Sequence, residues 1–192
     1  MTPRICFTAS AFLIHQQQVL LIKHKKLQMW LGPGGHIDQD ELPHLAAARE
    51  FLEETGLQVA IISALPFSRS SLEESITATS SVVPTDVFHP VPLAVNEHWV
   101  CQENFLARQA AMATGTVYQP TKLWSKGCER HLNFTYLARL DGPLEIKPAP
   151  GESKEVRFFS QQELVSSLEI TLAPAIATEV ALAFKLAKKH CS

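Results

Sequence analysis

Between Leu31 and Leu57 the sequence LGPGGHIDQDELPHLAAAREFLEETGL permits few backbones. Gly32, Pro33, Gly34 and Gly35 break any regular element and force a tight loop. Pro43 then falls where a first helical turn tolerates a residue without an amide hydrogen, and HLAAAREFLEET is rich in helix formers. Gly56 suits the left-handed position just past the end of such a helix. The chain is committed here to a loop feeding a helix, and LQVAII follows as a strand.

At about 100° per residue, Leu45, Ala48, Phe51 and Leu52 fall on one side of that helix, the side expected to pack on a sheet. Glu50, Glu53 and Glu54 cluster on the opposite side, because residues three and four apart share a face. The cluster breaks two local rules. Like charges at this spacing repel, and carboxylates in a last turn oppose the helix dipole. On the helix alone, three glutamates are usually just a solvated surface. The glycine-rich loop upstream adds backbone amides and carbonyls at close approach, with no side chain in the way. Local rules broken without compensation mark functional sites, and a divalent cation would supply the compensation. Oxygen-only ligands favour a hard ion, Mg²⁺ or Mn²⁺, over zinc. Arg49 adjoins the cluster and Glu41 lies upstream, so an Arg49–Glu41 pair is expected to tie loop to helix and brace the ligands.

The string from Gly35 to Leu57 resembles a Nudix box, G-x5-E-x7-R-E-U-x-E-E-x-G-U with U a bulky apolar residue. Gly35, Glu41, Arg49, Glu50, Phe51, Glu53, Glu54, Gly56 and Leu57 occupy every fixed position, and Phe51 is only somewhat large for its place. The box covers about an eighth of the chain. The flanking strand order and EVRFFSQQEL also resemble the family. The resemblance implies a Nudix-like α/β/α sandwich around a mixed sheet, and an enzyme that hydrolyses a diphosphate in a nucleoside diphosphate derivative. Carried over, it makes Glu50 and Glu54 the main metal ligands and Glu53 a further ligand or the general base. The Gly35 carbonyl would complete the metal site, Arg49 would orient the glutamates, and Glu41 would brace Arg49. Some family members place the base outside the box, and Glu103, Glu129, Glu152 and Glu155 stand as unranked candidates.

The rest of the chain agrees with an α/β reading. CFTASAFLI, a polar QQQ turn and VLLIKH read as a strand pair. Arg4 and ICFTASAFLI also have the outline of a short signal segment, but the paired-strand pattern fits better. SRSSLEESITATSS reads as a polar loop, and VVPTDVFHPVPLAV, with its prolines, as an edge strand or extended linker. QENFLARQAAMATG is a helix candidate, HLNFTYLARL a strand, GPLEIKPAPGES a connector and EVRFF a further strand. Ser160 with Glu163 has capping-box spacing ahead of QQELVSSL, and ATEVALAFKLAKKH is an amphipathic helix. The expected organisation is one domain over residues 1–192, elaborated from about 63 to 130, and that long segment is expected to form part of a substrate wall.

A formal net charge of −2 provides no basic field for nucleic acid, although capped RNA stays open as a substrate. No apolar run reaches the ~18 residues of a membrane span, so no membrane partner is expected. Cys6, Cys101, Cys128 and Cys191 have no zinc-site spacing and are expected to be reduced thiols in a cytoplasmic protein. The sequence leaves the oligomeric state open, a homodimer included. His36 is expected as a surface loop residue rather than a phosphate contact. Trp30, Trp99, Trp124 and Phe134 are expected in hydrophobic contacts rather than stacked on a base. His89, His98 and His131 read as structural, and Lys122, Lys126 and Arg130 as surface charge rather than a phosphate clamp.

Two other classes stand beside the hydrolase. One is a non-catalytic Nudix-like module that senses a nucleotide or metabolite, against which the intact carboxylate set argues. The other is a diphosphate isomerase related by fold, whose additional histidine and cysteine signatures are not recognisable here.

Overall fold

The computed structural model describes residues 4–25, 27–65, 89–120, 127–152, 155–167, 170, 172 and 174–190. The expected SRSSLEESITATSS loop, Lys122, Trp124, Lys126 and Cys191 lie outside the described residues. Strand β1 (Ile5–His15) is the spine of the sheet. Gln16 and Gln17, with φ of 46° and 61°, turn it back into β2 (Gln18–Lys23) in register Ile14↔Val19 and His15↔Gln18. A two-residue turn with both residues left-handed matches the natural twist of a strand pair.

The glycine-rich segment is more regular than expected. It carries two short strands, β3 (Trp30–Leu31) on β2 and β4 (Gly34–His36) on β1. Gly34 is what allows this: a β-carbon there would fall 2.5 Å from the Ala9 carbonyl oxygen. Helix α1 (Pro43–Thr55) follows, with Pro43 in its first turn and Gly56 closing it at φ 78°. Strand β5 (Val59–Ile62) comes next.

NEHW, to which the sequence assigns no element, completes strand β6 (Ala94–Trp99), whose first two residues end the expected edge strand or linker. Its polar residues hide the alternation, because the structure turns Asn96 inward onto a buried carboxylate, Glu179. Helix α2 (Gln102–Thr114), strand β7 (Arg130–Leu140), strand β8 (Val156–Ser160), helix α3 (Gln161–Ser166) and helix α4 (Pro174–His190) complete the order. The Ser160–Glu163 capping box forms as its spacing predicts. β1 runs parallel to β7 from Ile5↔Arg130 to Leu13↔Ala138, while β5 and β6 join β7 antiparallel and β8 joins β2 antiparallel. The sheet is mixed, as expected.

Successive β1 side chains point to opposite faces. Ala9, Ala11 and Leu13 pack with Ala46, Ala47, Phe51 and Leu57 on the α1 side. Phe12 packs with Leu137, Phe159, Val180, Ala183 and Phe184 on the α4 side. The sheet thus lies between helices. Trp30 meets the expectation of a hydrophobic contact, its ring edge-on to Phe159 with centroids 4.7 Å apart. No helix among the described residues is long and apolar enough to cross a membrane.

Two expectations need correction. The buried face of α1 is Ala46, Ala47, Phe51 and Thr55, whereas Leu45 and Leu52 are 52% and 47% exposed. Alanines let the helix lie close on β1 and β4, where leucines would hold it off. The second correction concerns the thiols. Cys6 and Cys128 are joined, 122 residues apart, with their Cα atoms 5.8 Å apart. The parallel β1–β7 pairing sets Cys6 opposite His131 and so brings Cys128 within disulfide reach, a proximity that spacing along the chain does not reveal. Cys101 is a free thiol that caps α2 by accepting from the Asn104 amide.

Candidate active site

Gly34 and Gly35 present bare backbone to α1, and two carboxylates close on it. The Gly34 amide donates to Glu54 Oε2 at 2.8 Å. A β-carbon on Gly35 would fall 2.4 Å from the Glu50 carboxyl carbon and 2.5 Å from both of its oxygens. Glu50 therefore occupies space that only glycine leaves open. Glu53, one turn from Glu50 and beside Glu54, is the exposed member of the three. The carboxylates do not point directly away from the sheet. They lie along the edge of the packing face, toward β4.

Arg49 organises this edge. Its Nε donates to Glu41 Oε1 at 2.9 Å and its second terminal nitrogen to Glu41 Oε2 at 2.8 Å, a two-point grip. That same nitrogen reaches the His36 carbonyl at 3.0 Å. The other terminal nitrogen reaches Glu50 at 2.8 Å and Glu53 at 3.4 Å. Glu41 in turn accepts from the Asp38 amide at 3.0 Å, which fixes the loop ahead of the helix. The pairing of Arg49 with Glu41 expected from the sequence is present.

One guanidinium does not neutralise the site. Burial pushes Glu54 up to about 8, against the pull of the Gly34 amide, and Glu50, Glu152 and Glu53 push it further. Burial also raises Glu50, with Arg49 opposing and Glu53 and Glu152 adding to the rise. Arg49 itself is held more firmly protonated than usual, chiefly by Glu41. The result is a half-buried pocket of oxygens short of positive charge. Donors of this kind, crowded over a bare glycine strand, fit a hard divalent cation.

Glu152 is the one of the four outlying glutamates that acts on this pocket. The connector between β7 and β8 folds back over the end of α1. The Lys147 amide donates to the Thr55 carbonyl at 2.8 Å and the Ala149 amide to the Glu53 carbonyl at 2.8 Å. Those bonds satisfy helix-end carbonyls and carry Glu152 to the carboxylates. Glu155 pairs instead with Lys23 at 3.2 Å, Glu129 is buried against the Tyr118 hydroxyl, and Glu103 sits in the first turn of α2.

The opposite face of the same strands brings together groups that are far apart in the sequence. His36 packs edge-on to His131 with ring centroids 5.0 Å apart, and His131 to His98 at 5.3 Å. Burial, with His98 and His36 nearby, pushes His131 down to about 4. His36 Nε2 lies 3.2 Å from Cys128 Sγ, so it is not simply a loop residue facing water. Farther along, Thr8, Ser10, Asn133 and Thr135 form a buried hydrogen-bonded ladder that ends on Glu179 of α4. Its trace in the sequence was faint: two small polar residues, Thr8 and Ser10, alternating through an otherwise apolar strand. Arg130, its side chain 20% exposed, pairs with Glu97 at 2.6 Å and lies over the Trp99 ring. Phe134 packs on the core and also lines a cavity of about 500 Å³, with Arg4, Phe7, Asp38 and Glu41, beside the loop.

The Nudix domain model matches residues 6–111, more than half of the chain. The chain belongs to the Nudix family. A Bacillus subtilis (strain 168) protein named "Putative 8-oxo-dGTP diphosphatase" is 45% identical over 58 residues, which are 29% of this chain and 39% of that protein. The match thus spans well under two thirds of that relative's length. A Nudix-family hydrolase of Clostridium perfringens has a similar structure, with a TM-score of 0.55 and 25% identity, covering 96% of this chain and 99% of that one. An ADP-ribose pyrophosphatase of Streptococcus suis shares the fold at a TM-score of 0.53 and 18% identity, covering 97% and 93% of the two chains.

Proposed function

We propose that this chain is a metal-dependent hydrolase that cleaves the diphosphate of a nucleoside diphosphate derivative. The observation that carries the reading is the Glu50 carboxyl seated over Gly35, with Glu54 on the Gly34 amide beside it. Such a pocket costs stability unless a cation and a phosphate group complete it. Both names among the relatives, one for 8-oxo-dGTP and one for ADP-ribose, support a nucleotide-type substrate without selecting between them.

Glu50, Glu54, Glu53 and the Gly35 carbonyl would hold Mg²⁺ or Mn²⁺. When bound, the cation neutralises phosphate oxygens and lowers the pKa of a coordinated water. The chain's own groups do the rest. Arg49 keeps Glu50 and Glu53 aimed at one point, and Glu41 keeps Arg49 from rotating away. Glu53, the exposed carboxylate, takes the proton of the attacking water, with Glu152 as the outlying carboxylate able to share that task. The cavity beside Glu41 and Phe134 gives the remainder of the substrate a place to rest.

The test is product release from nucleoside triphosphates, ADP-ribose, NADH, dinucleoside polyphosphates, sugar nucleotides and capped RNA, with Mg²⁺, Mn²⁺ or EDTA. Hydrolysis that needs metal and is lost in Glu53→Gln is the expected result. Tight binding of one panel member with no turnover would favour a sensor module instead.

A further inference from the structure

We propose that, once the Cys6–Cys128 bond is reduced, the chain holds a soft divalent cation such as Zn²⁺ between Cys6 Sγ, Cys128 Sγ and His36 Nε2. The ligand atoms of these three residues lie within 4.8 Å of one another. A disulfide requires two cysteines. It does not require an imidazole nitrogen 3.2 Å from one of the sulfurs, which is where His36 lies. His131 stands next to His36, and its Nε2 is buried without a hydrogen-bond partner among the described residues. Turned toward the ion, His131 would add a second nitrogen as the fourth ligand of a Cys₂His₂ set, a combination that prefers zinc to the hard ions.

The backbone holds these groups together before any ion arrives. Cys6 is on β1, His36 on β4 and Cys128 just ahead of β7. Thr8 pairs with His36 across one edge of β1, and Cys6 pairs with His131 across the other. The Glu129 amide bonds to the Arg4 carbonyl at 3.0 Å, fixing Cys128 against the start of β1. This site is distinct from the carboxylate pocket, although Gly35 and His36 are adjacent. Neighbouring strand residues face opposite ways. Gly35 faces α1 and Glu50, and His36 faces Cys128 on the other side of the sheet.

The two states interconvert by balanced chemistry. A dithiol reductant supplies two electrons and two protons, closing to its own disulfide as the Cys6–Cys128 bond opens to two thiols. Those thiols release two protons to solvent as the cation binds. In the reverse direction an external disulfide takes up the two electrons and opens to its dithiol as the Cys6–Cys128 bond forms, which removes both thiolate ligands and would expel the ion.

The full chain, reduced and then freed of reductant under inert gas, would be titrated with Co²⁺ and then Zn²⁺. The expected signature is thiolate-to-cobalt charge transfer that saturates at a single equivalent and is erased by Zn²⁺. Zn²⁺ should also protect two of the four cysteines from alkylation, and the oxidised chain should show neither effect. The signal should persist in a Glu50→Gln/Glu54→Gln double variant, which separates this site from the proposed catalytic one, and vanish in Cys128→Ser. Equal alkylation of all cysteines with and without Zn²⁺ in the wild-type chain would overturn the proposal, whether or not Cys128→Ser folds. So would a cobalt signal that follows the carboxylates and not the thiols.

Discussion

Glu50 and Gly35 compete for one volume: any β-carbon at position 35 would sit 2.4 Å from the Glu50 carboxyl carbon. Gly35→Ala should therefore swing Glu50 out of the pocket while leaving β4 paired, since alanine adopts extended backbone without strain. The expected outcome is metal affinity and turnover both reduced, by roughly tenfold or more, at nearly unchanged melting temperature. Calorimetric Mn²⁺ titration beside a thermal melt checks this. Unchanged Mn²⁺ binding would mean that Glu50 is not a ligand.

Arg49 holds Glu41 at two points while still reaching Glu50 and the His36 carbonyl. A lysine ammonium has the charge but not the planar fork. Arg49→Lys should lower kcat by roughly 10- to 100-fold with a smaller change in KM, because its contacts orient the carboxylates rather than hold the distant parts of a substrate. Steady-state kinetics on the best substrate of the panel decides the matter. A loss confined to KM would point to direct substrate binding by Arg49.

The pH dependence follows from Glu54. Its folded pKa, about 8, stands above the ordinary carboxylate value of 4.5, so between those limits the folded state binds more protons than the unfolded one. The stability this confers is complete below the ordinary value and is lost as pH rises through about 8. Metal-free protein should thus melt at lower temperature near pH 9 than near pH 6, and Mg²⁺ should offset the difference by binding the deprotonated form. Glu54→Gln should flatten the metal-free profile and lose most of the Mg²⁺ effect. A variant that kept the wild-type slope would place the titrating group elsewhere.

What the sequence revealed depended on how far apart the participants lie. Pro43, Gly56 and the Ser160–Glu163 box are local devices, and each appears where its spacing placed it. The Arg49–Glu41 pair was also legible, because one helix and its leading loop contain both residues. The wheel sets the glutamates opposite Phe51, yet Glu50 and Glu54 turn onto the glycine strand, and Leu45 and Leu52, expected in the core, are exposed. Helical period assigns a face without saying how close the neighbouring layer comes, and here alanines set that distance. Strand β6 stayed hidden because its inward Asn96 is satisfied by Glu179 on a helix more than 80 residues later. The Cys6, His36 and Cys128 group is the extreme case, brought together by the pairing of β1 with both β4 and β7.

That same long-range assembly bears on the general base. Glu53 belongs to the helix, whereas Glu152 arrives on a connector pinned to the helix end by the Ala149–Glu53 and Lys147–Thr55 bonds. A β-carbon on Gly56 would fall 2.4 Å from the Lys147 carbonyl oxygen, so the docking depends on that glycine as well. If Glu53 alone takes the proton, Glu53→Gln should remove nearly all turnover and Glu152→Gln should cost only severalfold, through the lost influence on Glu50 and Glu54. If the water lies on the connector side, the order should reverse. Single-turnover rates of both variants at saturating metal, measured across pH, distinguish the two. The variant that removes the base should lose the rising acid limb of the profile, while the other should keep it at reduced height. Full activity in both variants would exclude either carboxylate as the base.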